Sequence, residues 1–290
     1  MLEAVPNVSE GRSPDVIGAV GVAFGKRARL LDVHSDPDHH RSVYTLVGEA
    51  AELVHALVEG AARAYDLIDL RVHDGVHPRV GVVDVVPLVA LTATDAELAK
   101  ATALAVAERI GGELDVPVFL YGQIGDGRRP AFFRRGGLAE LERRMEDGEL
   151  EPAFGRRSID PRTGVVLVGA RNALVAYNVA LRTDDVEVAH AIAAAVREST
   201  GGLPGVQAIG LRLPRAGTVQ VSMNVVDLEQ SGLHEVVERV RQEAASRDVE
   251  VASGELVGLV PERVLTAAEA AGASIPGVDA TRVLERLLPL

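Results

Sequence analysis

Short apolar runs occur in pairs joined by polar turns, each pair followed by an amphipathic helix, and this order of elements appears in both halves of the chain. Strands joined by short turns lie antiparallel, whereas parallel strands need long crossovers. The pattern therefore predicts antiparallel or mixed sheets with helices on one face, an α/β fold of the α+β type, and not a doubly wound parallel one. In the first half, Leu2–Val5, Leu30–Val33, Ser42–Val47, Val80–Leu91 and Pro117–Gln123 read as strands, with His34–Arg41 as a polar turn. Ser13-Pro14-Asp15 opens a helix: a capping hydroxyl, proline in the first turn, and an acid at the positive end. Ala50–Leu67 forms a second helix, with Leu53, Val54, Leu57, Val58 and Ala61 on one face. Thr94 caps a third, running to Glu113, and Leu138–Met145 is a fourth.

From Gly122 to Gly164, Gly, Pro and Arg are frequent and periodicity is poor. The subdomain junction is placed at its end, giving subdomains 1–165 and 166–290. The second half offers strands Val165–Gly169, Ala173–Leu181, Val206–Leu213, Val219–Val226 and Val249–Ser253. Its helices are Asp184–Arg197 (capped by Thr183), Leu233–Ser246 and Pro261–Ala271.

With 290 residues, 47% of them hydrophobic, the chain can bury a sizeable core, and disorder is excluded as its main state. Its formal charge of −12 argues against a general nucleic-acid or anionic-membrane binder, so small-molecule partners are expected. The absence of cysteine excludes disulfides and thiolate chemistry. The start lacks the features of a signal peptide and no apolar run matches a membrane span, so a cytoplasmic location is expected. Lys26 and Lys100 are the only lysines among 30 basic residues, so an anion site here must use arginine forks and backbone amides. The lack of Trp leaves no platform for stacking several bases.

Three stretches could carry chemistry. His34-Ser35-Asp36-Pro37-Asp38-His39-His40-Arg41 concentrates histidines and carboxylates between two strands. It reads as a polar substrate-facing loop or a solvated turn. A metal site built on His34, Asp36, His39 and His40 is disfavoured, because no recognised ligand spacing accompanies it and adjacent histidines on an extended chain point opposite ways. His73-Asp74-Gly75-Val76-His77-Pro78-Arg79 is a loop, since Gly75 and Pro78 break any helix. An imidazole beside an arginine suits a general acid–base with an anion anchor, although two unremarkable loop histidines fit the local pattern equally. Gly155-Arg156-Arg157-Ser158-Ile159-Asp160-Pro161-Arg162-Thr163-Gly164 brackets a basic segment with glycines. It could cradle an anionic or planar ligand through backbone amides, or serve as an exposed linker. No Walker, nucleophile-elbow or dinucleotide fingerprint is present.

Several motifs, in order along the chain, resemble the glutamate formimidoyltransferase family. They are V-P-N-V-S-E-G (5–11), L-L-D-V-H-S-D-P-D-H-H-R-S-V-Y-T (30–45), H-D-G-V-H-P-R-V-G (73–81) and D-V-V-P (84–87). V-G-A-R-N-A-L-V-A-Y-N-V-A-L (168–181), Q-V-S-M-N (220–224) and E-L-V-G-L-V-P (255–261) follow. The resemblance covers the transferase part only, without the cyclodeaminase domain fused to it in animal members. It implies two similar α/β subdomains whose sheets form a double layer with the ligand crevice between them, and a homodimer. The implied activity is folate-dependent: a formimidoyl group moves from N-formimidoyl-L-glutamate to N5 of tetrahydrofolate, the co-substrate, in histidine degradation. No metal is expected.

The family's catalytic histidine, the one before Pro-Arg, falls on His77, and its folate-binding segment falls on Gly155–Gly164. His77 as imidazolium would protonate the leaving glutamate nitrogen after helping to take the N5 proton. Arg41 and Arg79 are candidates for the glutamate carboxylates. Asn7, His34, Asp36, His39, Asn178, Gln220 and Asn224 are candidates for substrate contacts or their support. Arginines between Arg128 and Arg162 would make the crevice locally positive. Two positions depart from the family pattern: Val76 replaces a glutamate beside the catalytic histidine, and Ala153 replaces an acid. Formyl transfer from N-formylglutamate, or folate binding without turnover, are the alternatives these departures permit.

Overall fold

The computed structural model describes residues 1–288, which divide into two compact units after Asn172. The first unit runs β1 (Leu2–Ala4), β2 (Asn7–Val8), α1 (Pro14–Phe24), β3 (Arg29–Asp36), β4 (Arg41–Gly48), α2 (Ala50–Leu67), β5 (Val83–Ala90) and α3 (Ala96–Leu114). It continues with β6 (Val118–Gly122), α4 (Pro130–Arg134), α5 (Gly137–Glu146) and β7 (Val166–Arg171). β1 and β2, interrupted at Val5-Pro6, both lie between β4 and β5, with β3 outside β4. On the other side β7 pairs parallel with both β5 and β6, so the sheet is mixed. The long helix α3 supplies the crossover that a parallel arrangement requires.

One face of this sheet packs on α1, α2 and α3 through Leu2, Tyr44, Leu46, Leu57, Val86 and Val106, all essentially inaccessible. Each such aliphatic side chain contributes on the order of 1.5–3 kcal/mol. On α2, Gly60 lets the Phe24 ring of α1 lie against the helix backbone, where a Cβ would overlap the ring. Part of the opposite face is covered by the segment carrying α4 and α5, with Phe133 and Leu141 against Val85, Phe119, Tyr121 and Leu167.

Two expectations change here. The hairpin strands extend to Asp36 and from Arg41, leaving a turn of only Pro37–His40. Asp36 Oδ1 accepts the N–H groups of Asp38 (2.7 Å) and His39 (2.6 Å), and His40 takes a left-handed conformation (φ 50°), which closes the turn early. His34, Asp36 and Arg41 are therefore strand residues. The run expected as one strand from Val80 to Leu91 becomes β5 only at Val83. Val80 and Val82 pair instead with the loop Thr163–Val165.

The second unit runs β8 (Val175–Leu181), α6 (Val186–Val196), β9 (Val206–Leu213), β10 (Thr218–Val225), α7 (Leu233–Ala245), β11 (Val251–Val257), α8 (Glu262–Ala270) and α9 (Leu284–Leu287). Its sheet is antiparallel throughout, in the order β11-β8-β10-β9. Val179, Leu181, Val219 and Val221 face α6 and α7 in a second core. β11 lies further along the chain than expected and carries a bulge between Val251 and Ser253. The side chain of Asp185, not Thr183, caps α6.

Candidate active site

The site grows from an irregularity between β2 and β5. Asn7 pairs with Val85 and Val8 with Val83, so Asp84 is an extra residue in the ladder. Such a bulge re-aims a side chain out of the regular alternation. The fully buried Asp84 carboxylate accepts the Val80 N–H at Oδ1 (2.8 Å). At Oδ2 it accepts Arg41 Nη1 (2.8 Å) and Arg134 Nη2. Burial alone would raise its pKa, but the Arg134 and Arg41 cations and these hydrogen bonds outweigh it and hold the group below the usual carboxylate range. Arg41 comes from β4, with Nε donating to Asn7 Oδ1 (2.9 Å), while Asn7 Nδ2 donates to Val5 O (2.7 Å). Burial lowers Arg41 to about 10, so it remains a cation at neutral pH.

Arg134 ends α4, and the fully buried Arg144 of α5 holds that short helix. Arg144 Nη1 donates to Phe132 O (2.9 Å), its guanidinium lies 4.5 Å over the Phe132 ring, and Nε pairs with Glu149 (2.9 Å).

His77 stands beside this cluster. Its Nδ1 lies 2.8 Å from the Pro78 carbonyl, an acceptor only, and 3.2 Å from Arg41 Nη1, a donor only; the shorter contact is met with the proton on Nδ1 and the lone pair on Nε2, which leaves Arg41 as a cation against the ring. Burial, then the cations Arg41 and Arg134, then His39, push its pKa well below the ordinary histidine value. His77 therefore rests as a neutral base. The His39 ring lies 5.6 Å away, centroid to centroid.

Three loops interlock to hold His77. Val76 N–H donates to Asp38 O (3.0 Å), and Gly75 sits where a Cβ would overlap the His39 carbonyl. His73 Nε2 donates to His40 O (2.8 Å), while His73 Nδ1 accepts the Gly75 N–H (3.2 Å). The rings of His40 and His73 stack at 4.1 Å, and His40 Nδ1 accepts the Gly11 N–H (3.1 Å). Burial, then Arg79, lowers His73 to about 4. Arg12 joins the assembly by pairing with Asp74. Arg79 Nη2 donates to the carbonyls of Gly75 and, at 2.7 Å, of His77, which makes this side of its fork a brace for the loop.

The cross-strand register places His34 opposite Val43 and Asp36 opposite Arg41. Asn7 is also opposite Val43, so His34, Asn7 and Arg41 share one sheet face. Among the described residues no group of three or more metal-ligating side chains converges.

Gly155–Gly164 is anchored at both ends. Phe154 bridges Val118, and Gly155 (φ 79°) approaches Val116 so closely that a Cβ would overlap its carbonyl. Gly164 bridges Gly81, and Leu70 N–H donates to Arg162 O (2.9 Å). Asp160 Oδ1 accepts the Arg162 N–H (2.8 Å), and Ile159 and Thr163 are buried. Arg156 pairs with Asp115, Arg157 with Glu151, and Arg162 Nη2 donates to Asp66 O (3.1 Å). Pro161 and Ser158 lie in the turns between, and Ser158 is exposed. Of the arginines expected to line a positive site, Arg134 is the one hydrogen-bonded into the Asp84 cluster.

Asn178, Gln220 and Asn224 belong to the second unit, on the sheet face opposite α6 and α7. Asn178 Nδ2 lies 3.4 Å from Glu255 Oε2 on the neighbouring strand. Gln220 is buried and Asn224 exposed. Asp84 and Arg134 are site residues that sequence reasoning did not single out. A lone acid inside the apolar run Val80–Ala90 was the available signal for Asp84. Nothing local separates Arg134 from Arg128, Arg129 and Arg135.

Residues 1–171 match the family described as formiminotransferase domain, N-terminal subdomain, and residues 176–271 match the formiminotransferase domain. The chain is 35% identical over 99% of its length to a glutamate formimidoyltransferase of Thermoplasma acidophilum, covering 96% of that protein. It is 38% identical over 91% of its length to the Streptococcus pyogenes enzyme of the same name, covering 90% of it. It is 38% identical to the formimidoyltransferase-cyclodeaminase of Sus scrofa over 93% of this chain, but spans 52% of that protein. With both subdomain families matched in order and full-length relatives at this identity, the chain belongs to the formiminotransferase family.

Proposed function

We propose that this enzyme is a glutamate formimidoyltransferase, moving the formimidoyl group of N-formimidoyl-L-glutamate to N5 of tetrahydrofolate in histidine degradation. The observation that carries its mechanism is the neutral His77 with Nδ1–H committed to Pro78 O and Nε2 left as the base. As N5 bonds to the amidine carbon, that carbon's C=N electron pair moves onto its nitrogen and a tetrahedral adduct forms. His77 Nε2 takes the N5 proton and becomes an imidazolium. It then delivers that proton to the glutamate nitrogen, the carbon–nitrogen bond to glutamate breaks, and the C=N bond re-forms. The products are 5-formimidoyl-tetrahydrofolate and L-glutamate, and His77 is neutral again.

A low resting pKa suits the first half of this cycle, and the cations that cause it make the imidazolium a strong acid for the second. A positioned acid–base of this kind is worth ~10²–10⁴-fold. In this reading Gly155–Gly164 takes the folate, His34, Asp36, His39 and Asn7 face or support the donor, and Asn178, Gln220 and Asn224 supply amide contacts. The active form is a cytoplasmic homodimer that needs no metal. Among the described residues no helix is long and apolar enough to cross a membrane.

The test is a donor screen with tetrahydrofolate, following the substituted folate by absorbance. Turnover with N-formimidoyl-L-glutamate is expected. Turnover only with N-formylglutamate, or tetrahydrofolate binding with no turnover, would overturn the reading.

A further inference from the structure

We propose that Arg134 and Arg41, bridged by Asp84, form a receptor for the α-carboxylate of the amino-acid donor, and that Arg134 is the residue that selects for it. This rests on the reading of His77 as the centre of formimidoyl transfer.

The two guanidiniums meet at one atom. Arg41 Nη1 and Arg134 Nη2 both donate to Asp84 Oδ2, while Asp84 Oδ1 is taken by the Val80 N–H. Arg41 Nε is committed to Asn7. Arg134 differs from Arg41: its Nε is buried and has no hydrogen-bond partner. An unmet donor on a buried cation is costly, and a ligand oxygen is one way to meet it. Charge points the same way. Arg41, Arg79 and Arg134 all act electrostatically on Asp84 or on one another, so three cations surround one carboxylate. Other nearby acids are already engaged: Asp74 pairs with Arg12, and Glu10 Oε1 accepts the N–H groups of Arg12 (2.6 Å) and Ser13 (3.0 Å). His77 stays neutral at rest and relieves none of the excess.

The fork is also held in place before any ligand arrives. Arg144 anchors α4 through the Phe132 carbonyl and ring, so Arg134 projects from a fixed short helix. Fixing a planar guanidinium in advance favours bidentate recognition of a carboxylate.

Covalent structure identifies which carboxylate this is. The nitrogen that His77 must protonate is bonded to the donor's α-carbon, and the α-carboxylate is attached to that same carbon. The γ-carboxylate is two methylenes further away. The carboxylates of a folate lie beyond its aminobenzoyl group, far from N5. A carboxylate beside His77 is therefore the donor's own α-carboxylate.

The experiment measures binding of L-glutamate, its α-carboxamide and its γ-carboxamide to the full chain by calorimetry, with tetrahydrofolate binding measured in parallel. The proteins are wild type, Arg134→Gln and Arg134→Lys. Wild type is expected to prefer L-glutamate over the α-carboxamide by ~10–100-fold, the scale of charge-assisted hydrogen bonds. Arg134→Gln should abolish that preference and raise KM for the donor by a similar factor, with tetrahydrofolate affinity unchanged. Arg134→Lys keeps a cation for Asp84 without the fork, so it should keep the fold by circular dichroism and recover only part of the preference. If Arg134→Gln fails to fold, Arg134→Lys decides. A wild-type preference that survives in the folded variants overturns the proposal. So does a loss that tracks the γ-carboxamide or tetrahydrofolate, the latter assigning the receptor to a folate tail. Failure of L-glutamate to bind wild type also overturns it. If L-glutamate binds as described but no formimidoyl transfer occurs, the function falls and the carboxylate receptor stands.

Discussion

Arg41 Nη1 lies 3.2 Å from His77 Nδ1, so a cation held in place by Asp84 stands directly against the imidazole to which the proposed function gives the proton transfers. Burial comes first and Arg41 second among the causes that keep His77 neutral. The base is competent only when neutral, so a depressed pKa extends activity toward acid. Arg41→Met should move the acid limb of the kcat/KM profile upward, toward the ordinary histidine value. His77→Asn should lower kcat by at least ~10² at every pH, with tetrahydrofolate affinity little changed. A pH–rate series on both variants checks this, and an unmoved acid limb in Arg41→Met would remove Arg41 from the control of His77.

Val76 is half-buried, and its N–H is tied to Asp38 O at 3.0 Å. Its backbone bond does not depend on the side chain, so Val76→Glu should leave the melting curve close to that of wild type. A carboxylate near His77 favours the imidazolium and raises its pKa. The acid limb should therefore move to higher pH, and formimidoyl transfer below neutrality should fall, because less of His77 remains the neutral base and its imidazolium becomes a weaker acid toward the leaving nitrogen. Equal rates and profiles for mutant and parent with every donor would mean that position 76 does not touch the chemistry.

His73 accepts the Gly75 N–H at Nδ1, a bond that only an unprotonated nitrogen can make. Its folded-state value of about 4 lies below the unprotected histidine value. Between pH ~6.5 and about 4 the unfolded chain binds this proton and the folded chain does not, so stability falls as pH falls through that window. His73→Asn should flatten this part of the stability profile. Urea midpoints at pH 7, 6, 5 and 4 would show it, and an identical slope in the mutant would contradict the assignment.

Asp84 compensates two cations from full burial. Its depressed pKa contributes stability that is present above the unfolded-state value near ~4 and lost as pH falls through the folded value. Asp84→Asn leaves both guanidiniums without a counter-charge and should cost about 3–5 kcal/mol at neutral pH. Chemical denaturation would measure it. A loss below ~1 kcal/mol would mean that water already screens the pair.

Gly60 lies mid-helix in α2, where alanine would ordinarily help by ~1 kcal/mol. Here a Cβ overlaps the Phe24 ring, so Gly60→Ala should destabilise the first unit by ~1–3 kcal/mol. A raised melting temperature would show that the α1–α2 contact relaxes freely.

Much of the fold is legible in the sequence because its cause is local. Helix α2 spans the same residues expected from its apolar stripe, and β9 spans the same residues expected from its apolar run. Ser13 accepts the Val16 N–H at the start of α1, as the capping pattern requires (3.4 Å). Periodicity and caps act over one or two turns, so a single segment carries the whole signal. The conspicuous histidine motifs were legible for a similar reason, since unusual residue types were concentrated in one short stretch.

What the tertiary structure alone decided depends on residues far apart in the chain. The bulge that exposes Asp84 to Arg41 exists only because β2 and β5 pair out of step. Arg134 joins Asp84 across fifty positions. The low pKa of His77 follows from burial and from two cations brought by other elements, and its local neighbours Pro78 and Arg79 would not produce it. β7 enters the first unit's sheet because β5 and β6 flank it in parallel, a pairing that an apolar run cannot declare. The chain determined by itself most of its longer helices and strands, and which residues are chemically able to act. Register and packing determined which of those residues meet, because hydrogen-bond pairing and burial join segments whose separation in sequence carries no record of the contact.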